Sequence, residues 1–296
     1  MELIVDLGQS GARVKIGSDI NSLPIAKKTT ESVVETLEKI FSALPAAKYE
    51  KAYLSLTGLL GNVGDVTPYG EICARYFQTQ EVYVMDDGLA AYVGALGDSN
   101  GVALTLGGGV VAVSGNNGRF GHADGKGQIF GDFGGGFWVG QFGLRRAIAT
   151  LDGRDSADDL VDALSPELET LSKLENKTGT EAAALCIATA KSVIKAAESG
   201  AVSAQKILQY GAAELSKTVI SAWKKVNEDA QSIPEIAFLG GLSQSPLYVG
   251  LIANEVQKQL NCKVVQPKGD HRVGALLAAS LYPNGAPPLF KTWQQK

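Results

Sequence analysis

Two short turns built from small residues constrain the fold of this chain more than any other feature of its sequence. The first lies in LIVDLGQSGARVKIG (residues 3–17), directly after an apolar run that ends at Asp6. The second is Gly107–Gly109, between the two apolar runs of VALTLGGGVVAVSG (residues 102–115). Each pattern predicts a β-hairpin whose turn carries no bulky side chain. Two such hairpins about a hundred residues apart suggest an internal duplication.

The order of the remaining patterns favours an α/β fold. Strand-like runs such as KAYLSLTG and EVYVMDD alternate with helical stripes such as TTESVVETLEKIFSAL, whose apolar residues recur at spacings of three and four. From about residue 165 to 227 the chain reads as almost entirely helical, and strands return at EIAFLGG and KVVQP. This order predicts mixed sheets covered by helices.

Length, charge and cysteine content exclude several classes of protein. The 296 residues suffice for about two domains, and a net charge of −4 argues against a nucleic-acid partner. There is no run of 18 apolar residues and no secretory leader, so we expect no membrane partner. Cys73, Cys186 and Cys262 are too far apart for a metal or disulfide motif. We expect small buried thiols and a cytoplasmic location.

The small-residue turns are candidates for binding the phosphates of a nucleotide, because glycine lets backbone N–H groups approach an anion closely. Asp6 could reach a phosphate-bound Mg²⁺ ion, and Ser10 could donate to a phosphate. Gly240 and Gly241, in FLGGLSQSP, could pass close to adenine or ribose. The alternative for each segment is an ordinary tight turn.

Two further segments carry carboxylates beside candidate ligand sites. In YVMDDGLAAYVGAL, Asp86 and Asp87 end a strand and begin a helix, where α/β proteins place ligands. One of them could accept a proton from a substrate hydroxyl, and either could cap the helix. In GQIFGDFGGGFWVG, Asp132 lies in a glycine-rich segment that is either a substrate loop or a connector.

Two common nucleotide motifs are absent. GHADGKG (residues 121–127) is one residue too short for a P-loop, and no Ser or Thr follows its lysine. No GxGxxG follows a strand with an acid about twenty residues further on, so a Rossmann domain is not expected.

Taken together, the segments resemble the N-acetylglucosamine kinase branch, pooled with the BadF/BadG-type ATPases, of the actin-like ATPase superfamily. The motifs of that family stand here, in order, as DLGQS (6–10), DDGLAAYVGA (86–95), GGGV (107–110), GDFGG (131–135), AAESGAVSAQKILQYGAAEL (196–215), FLGGLSQSP (238–246) and PKGDHRVGALLAA (267–279). The resemblance covers essentially the whole chain.

The resemblance implies an actin-like ATPase (ribonuclease H-like) α/β fold with two related domains and a central cleft. The N-terminal domain would span residues 1–100, with 280–296 packing back on it. The C-terminal domain would span 101–279, with a helical insertion at about 165–227. ATP and a sugar would meet in the cleft. Members of the family are often dimers, so a homodimer is a further expectation.

The resemblance also assigns roles to individual residues. Asp87 would be the catalytic base and Asp6 the ligand of Mg²⁺. ATP would contact Asp6, Gly8, Gln9, Ser10, Gly107, Gly108, Gly109, Gly240, Gly241 and Ser243. The sugar would contact Asp86, Asp87, Gly125, Lys126, Asp132 and Asn21. The implied activity is ATP-dependent phosphorylation of an amino sugar, at its 6-hydroxyl.

The chain departs from the family pattern mainly on the sugar side. Gly108 stands for a Thr, Val110 for a Ser, Val111 for a sugar-contacting Asn, Lys126 for a Trp, and Phe133 for an acid. A different amino sugar or a related hexose therefore remains open as the substrate. Lys126 either pairs with an anionic substrate group or is a solvated loop lysine.

Two other functions compete with a sugar kinase. A non-catalytic regulator that binds a sugar or nucleotide would tolerate the altered second turn, although it would not need Asp87, Asp6 and Ser10. A radical-enzyme activator with an iron–sulfur cluster would need clustered cysteines, which this chain lacks.

Overall fold

The chain forms two compact units in the structure, which is a computed structural model. It describes residues 1–8, 11–16, 19–28, 30–227 and 232–295. Unit 1 consists of Met1–Ala103, Val113–His122 and Gln266–Lys296, and unit 2 of Leu104–Ala112 and Ala123–Val265. The domain bounds at residues 100 and 279 stay a prediction.

The helices and strands follow one another in an α/β order. The strands are β1 (Glu2–Gly8), β2 (Gly11–Ile16), β3 (Asp19–Leu23), β4 (Lys51–Leu56), β5 (Glu81–Asp86), β6 (Gly101–Leu106), β7 (Val110–Asn116), β8 (Arg119–Asp124), β9 (Glu235–Leu239), β10 (Lys263–Val265) and β11 (Phe290–Gln294). The helices are α1 (Val33–Ser42), α2 (Thr67–Phe77), α3 (Asp87–Leu96), α4 (Gly136–Leu151), α5 (Asp158–Ala163), α6 (Ser165–Lys173), α7 (Thr180–Glu198), α8 (Val202–Lys224), α9 (Pro246–Gln257) and α10 (His271–Leu281).

Unit 1 is built on a six-stranded mixed sheet with the order β11-β5-β4-β1-β2-β3. Strands β1, β4 and β5 are parallel, whereas β2, β3 and β11 join them in antiparallel pairs. The parallel strands are buried almost throughout, which explains their continuous apolar runs. Their carboxyl ends place Asp6, Thr57 and Asp86 at one edge of the sheet.

Helix α1 shows why the sequence folds as it does locally. Ser32 caps its first turn, and Glu35 reaches back to the Ser32 N–H to complete a capping box. Its apolar stripe is buried. Helix α7 shows a local signal at its C-terminus. Gly200 follows the C-cap residue Ser199 and adopts a φ of +98°, as is common where helices end.

Unit 2 combines glycine turns with long helices. A five-stranded sheet has the order β10-β9-β6-β7-β8, with β9 and β10 parallel; of β6, β7 and β8, only residues 104–106, 110–112 and 123–124 belong to unit 2. The neighbouring strands β6 and β7 are joined by Gly107–Gly109, so the predicted second hairpin is confirmed. The expected α/β class with mixed sheets flanked by helices is confirmed as well.

Some elements lacked a sequence signal. Strand β3 (DINSL) has mostly exposed residues and forms an edge, so it shows no apolar alternation. The predicted burial of the cysteines holds only for Cys73, because Cys186 and Cys262 are half-buried. Within the described parts of the chain, no helix is both long and apolar enough to cross a bilayer.

Two glycines allow α3 and α10 of unit 1 to pack backbone to backbone. A Cβ at Gly274 would overlap the carbonyl oxygen of Ala90, and a Cβ at Gly94 would overlap that of Asp270. The two helices therefore approach more closely than any larger side chain permits.

We expect Gly274→Ala to destabilise unit 1 by about 1–3 kcal/mol or more, because the backbones must separate. Gly250→Ala is the matched control, since a Cβ at that position in α9 meets no atom within 4 Å. Gly250→Ala should leave the free energy of unfolding unchanged or raise it by up to about 1 kcal/mol. Urea unfolding of both variants measures the difference, and equal stabilities would contradict the packing argument.

Candidate active site

In unit 1, the carboxylate of Asp86 caps helix α3. Its Oδ1 accepts a hydrogen bond from the Gly88 N–H at 3.0 Å, and its Oδ2 accepts one from the Gly61 N–H at 3.0 Å. The side chain is buried, and both oxygens hold backbone groups in place. Asp86 therefore has a structural role, and its predicted contact with substrate stays a prediction.

The neighbouring Asp87 is in a different environment. It is the first residue of α3, and it is partly accessible to solvent. Burial of the carboxyl group, together with the negative charges of Asp86 and Asp6, raises the pKa of Asp87 to about 7. Hydrogen bonds from the Thr57 side chain and the Gly88 backbone oppose that increase. A carboxylate with such a pKa can take up a proton near neutral pH.

Asp6 completes the acidic cluster of unit 1. Because β1 pairs with both β2 and β4, Asp6 lies opposite Arg13 on one side and Ser55 on the other. Its Oδ1 accepts a hydrogen bond from Ser55 Oγ at 3.2 Å, and its Oδ2 lies 3.7 Å from Arg13 Nη1. Asp6 itself is buried, whereas the Arg13 side chain is mostly exposed.

In unit 2, the Gly107–Gly109 turn is held by the beginning of α4. The N–H groups of Gly136 and Phe137 donate to the carbonyl oxygens of Gly107 and Gly108, both at 2.9 Å. Gly107 N–H donates to the Gly109 carbonyl at 3.0 Å. Within the described residues, the N–H groups of Gly108 and Gly109 have no acceptor. Two unsatisfied N–H groups in a turn are suited to bind an anion.

Contacts with nearby side chains explain why two of the three turn positions are glycine. A Cβ at Gly109 would overlap Oδ2 of Asp132, so this position has no room for a side chain. A Cβ at Gly108 would lie 3.0 Å from Cδ1 of Ile187, which is tight. The glycines therefore serve packing as well as backbone access.

Asp132 joins the glycine turn to the substrate loop predicted from the sequence. It is buried, has a φ of +60°, and donates its N–H to Asp124 Oδ1 at 2.8 Å. Burial and the Asp124 carboxylate raise the pKa of Asp132 to about 6, although the N–H groups of Val110 and Gly127 favour its charged form. Its Oδ1 has no hydrogen-bond partner among the described residues.

The loop that precedes Asp132 exposes a charged residue and apolar residues. Gly125 has a φ of +68° and donates its N–H to the Val110 carbonyl at 2.8 Å. Lys126 is exposed, as are Ile129 and Phe130 at 76% and 83%. The loop thus has a hydrogen-bonded base and an accessible tip.

The third glycine turn also lies in unit 2. Gly240 has a φ of +91° and packs against the backbone of Leu106, where no Cβ would fit. Gly241 is exposed, and a Cβ on it would meet no atom within 4 Å. Ser243 Oγ donates to the Gly240 carbonyl at 2.8 Å and so stabilises the turn.

The remaining predicted residues are not joined to these clusters. Gln9 and Ser10 lie outside the described residues. Gly8 ends β1 opposite Gly11. Asn21 is exposed on the edge strand β3, opposite Val14. No contact among the described residues connects Asn21 with the aspartates of unit 1.

Several residues that shape these clusters were missed in the sequence. Thr57 and Gly61 follow β4 and bind Asp87 and Asp86, respectively. Asp124 holds Asp132 and accepts from Thr218 Oγ1 at 3.3 Å. The Asp124–Gly125 pair is a turn signal that could have been noticed. Within the described residues, no group of three or more metal-binding side chains could hold a metal ion.

The chain belongs to the BadF/BadG/BcrA/BcrD ATPase family, whose model matches residues 3–279. No curated protein matches it. This result confirms the family that the motifs indicated.

Solved structures show the same fold. A "putative N-acetylglucosamine kinase" from Chromobacterium violaceum is 22% identical, with a TM-score of 0.68 over 93% of this chain and 97% of the other. A second protein of that description, from Porphyromonas gingivalis, is 14% identical, with a TM-score of 0.67 over 96% and 99%. A ROK family glucokinase from Streptomyces griseus, in complex with glucose and AMPPNP, is 15% identical, with a TM-score of 0.59 over 96% and 100%. The expected actin-like ATPase fold is confirmed.

The raised pKa of Asp87 predicts a pH-dependent gain of stability on replacement. The folded protein binds this proton more tightly than the unfolded chain, because the pKa rises from 3.8 to about 7. The ionised carboxylate therefore destabilises the fold increasingly between these two pH values and fully above pH 7. We expect Asp87→Asn to raise the free energy of unfolding at pH 8 by up to about 4 kcal/mol, and to have little effect near pH 4.

Denaturant unfolding at both pH values tests this expectation. Asp65→Asn is the control, because the Thr67 backbone N–H lowers the pKa of Asp65, an exposed carboxyl. Asp65→Asn should not raise the free energy of unfolding at pH 8. If Asp87→Asn is equally stable relative to wild type at both pH values, Asp87 does not titrate as argued.

Proposed function

We propose that this protein is an ATP-dependent sugar kinase that transfers the γ-phosphoryl group of ATP to a hydroxyl group, the 6-hydroxyl, of an amino sugar such as N-acetylglucosamine or glucosamine. Asp87 is the observation that carries the proposal. It is a largely buried carboxylate with a pKa of about 7, on a partly exposed residue at the carboxyl end of a buried strand, beside a second carboxylate, Asp6. Membership in an ATPase family and the names of the structural relatives support it.

The proposed reaction is an in-line phosphoryl transfer. The sugar oxygen forms a bond to the γ-phosphorus while the bond from that phosphorus to the β,γ-bridging oxygen breaks, which releases ADP. Asp87 accepts the hydroxyl proton, and its raised pKa brings its basicity near the working pH. Asp86 suits this role less well, because both of its oxygens already accept backbone N–H groups.

The residues of unit 1 fit a Mg²⁺ ion that arrives with ATP. Mg²⁺ usually keeps several waters and binds through one or two carboxylates and substrate phosphates, rather than in a cage of protein ligands. The described residues contain no such cage, but Asp6 offers a carboxylate with one long, weak cationic contact. Asp6 would hold the ion, which neutralises phosphate charge when bound.

The glycine turns of unit 2 would bind the nucleotide. The N–H groups of Gly108 and Gly109 are available to phosphate oxygens, and the positive end of the α4 dipole adds to their attraction. Gly240, Gly241 and Ser243 would contact the adenosine. Gly8, Gln9 and Ser10 would contact phosphate from the first turn.

The loop around Asp132 would bind the sugar acceptor. Asp132 is the first proposed contact; its buried Oδ1 has no hydrogen-bond partner among the described residues. Gly125, Lys126 and Asn21 are the further proposed contacts. Lys126 would favour an acceptor with an anionic group. We place the enzyme in the cytoplasm and expect a homodimer.

Sugar-dependent ADP release in the presence of Mg²⁺ tests the proposal directly. The acceptors are N-acetylglucosamine, glucosamine, N-acetylmannosamine, glucose and their anhydro or acidic relatives. We expect turnover with at least one amino sugar. Absence of turnover together with a thermal shift on adding ATP or a sugar would instead favour a non-catalytic regulator, an alternative suggested by Gly108 and Val110 in the second phosphate motif.

We expect Asp87→Asn to lower kcat by about 10²–10⁴-fold while nucleotide affinity is retained, because the variant loses the proton acceptor but no phosphate contact. In the wild-type enzyme, kcat/KM for the sugar should fall below about pH 7 as Asp87 becomes protonated. Asp65→Asn is the control for surface charge. Turnover near the wild-type rate in Asp87→Asn would remove Asp87 from the role of base.

A further inference from the structure

A buried hydroxyl group connects two glycine segments of unit 2 that the proposed function assigns to the nucleotide and its surroundings. Tyr248 lies in the first turn of α9, shortly after the adenosine turn (Gly240–Ser243), and is fully buried. Its hydroxyl group donates a hydrogen bond to the carbonyl oxygen of Gly134 at 2.7 Å. The two residues are 114 positions apart, so this bond fixes tertiary rather than local structure.

The bond requires a close approach across helix α8. A Cβ at Gly211 would overlap the Tyr248 hydroxyl group, and a Cβ at Gly134 would overlap the Gly211 carbonyl oxygen. Gly134 also has a φ of +84°, which favours glycine. The hydroxyl group therefore reaches Gly134 through space that exists only because both positions lack a side chain.

The hydroxyl group fixes the peptide that precedes α4. The Gly134 carbonyl and the Gly135 N–H belong to one peptide group. Tyr248 binds the carbonyl, and the Asp132 carbonyl accepts the N–H at 3.0 Å. Glycine on both sides leaves the backbone angles around this peptide weakly restricted. Its orientation is therefore set by the two hydrogen bonds.

That orientation matters for the phosphate turn (Gly107–Gly109). Gly135 is the N-cap residue of α4, and the next two N–H groups, of Gly136 and Phe137, donate to two carbonyls of the phosphate turn. The peptide before α4 thus sets where the helix begins, and the helix holds the turn. The turn's N–H groups that would bind phosphate are oriented through this connection.

The other end of the connection is tied to the adenosine turn. Gly240 packs against the backbone of Leu106, the residue before the phosphate turn. Beyond Gly240, Ser245 Oγ accepts the Tyr248 N–H at 3.3 Å and donates to Oε1 of Glu198 in α7 at 2.6 Å. These bonds hold the first turn of α9, so the position of the Tyr248 ring follows that of the adenosine turn.

We propose that Tyr248 is a positioning residue that aligns the phosphate turn with the adenosine turn, so that both ends of one nucleotide are bound together. It acts through Gly134 and α4, without contacting the nucleotide. Phenylalanine would fill nearly the same space, so the hydroxyl group serves the Gly134 bond rather than packing. The inference rests on the proposed function, because it takes both turns to bind the same ATP molecule.

Tyr248→Phe removes the hydroxyl group and keeps the ring. Its affinity for Mg-AMPPNP should fall about five- to ten-fold, because the phosphate turn is no longer aligned before binding. In the nucleotide-free protein, amide hydrogen exchange at residues 135–137 should become about ten-fold faster, because the peptide before α4 is released. Calorimetric titration and hydrogen exchange measure the two effects.

Two controls separate positioning from a general loss of stability. Ile252→Val removes one methylene from a buried side chain of the same helix, so it lowers thermal stability without touching Gly134. Tyr210→Phe is the same substitution at an exposed tyrosine of α8. Both should bind Mg-AMPPNP within about two-fold of the wild type, since exposed or distant changes leave the turns in place.

Gly211→Ala tests the same bond by a second route, because its Cβ would displace the Tyr248 hydroxyl group. It should also weaken Mg-AMPPNP binding, and it replaces Tyr248→Phe if that variant does not fold. Thermal unfolding of each variant verifies folding.

Unchanged Mg-AMPPNP affinity or unchanged exchange at residues 135–137 in Tyr248→Phe would overturn the inference while leaving the proposed function intact. An equal loss of affinity in Ile252→Val would do the same, because it would reveal general destabilisation. A wild-type protein that binds no Mg-AMPPNP would overturn the proposed function and the inference together, so the two failures are distinguishable.

Discussion

The capping of α3 by Asp86 is the interaction on which the acidic cluster of unit 1 depends. One carboxylate oxygen fixes the first turn of the helix and the other holds the loop after β4 through Gly61. Because these bonds satisfy two backbone donors, they position the start of α3 against the carboxyl ends of β1 and β4. Asp87, one residue further on, is thereby kept beside Asp6 in an environment where ionisation is unfavourable.

Unit 2 uses a comparable arrangement around a different carboxylate. Asp124 fixes the backbone of Asp132, and the side chain of Asp132 packs where Gly109 has no Cβ. The first N–H groups of α4 satisfy the carbonyls of the glycine turn. Among the described residues, the N–H groups without an acceptor therefore belong to Gly108 and Gly109, in the turn itself. In both units, a carboxylate that accepts backbone N–H groups fixes the position of the neighbouring aspartate.

The sequence predicted the elements and the family well because both depend on local patterns. Apolar runs identified the parallel strands, and the small-residue turns identified two hairpins. Strand β3 was missed because an exposed edge strand shows no alternation. Of the candidate site, the strand-end aspartates and glycine turns were evident, whereas Thr57, Gly61 and Asp124 were not. Their contribution comes from contacts with residues 8 to 94 positions away in the chain, which no local pattern contains.

By itself, the sequence determined the α/β class, the ATPase family, and which segments carry carboxylates and glycines. The tertiary structure alone decided how adjacent or similar residues differ in role. Asp86 and Asp87 are the same amino acid, but one is bound to two N–H groups and the other has a pKa near 7. Arg13 and Arg272 differ likewise, since one is loosely paired and the other is bound to Asp270, the cap of α10. The physical reason is that burial, hydrogen bonding and charge proximity arise only when distant segments meet.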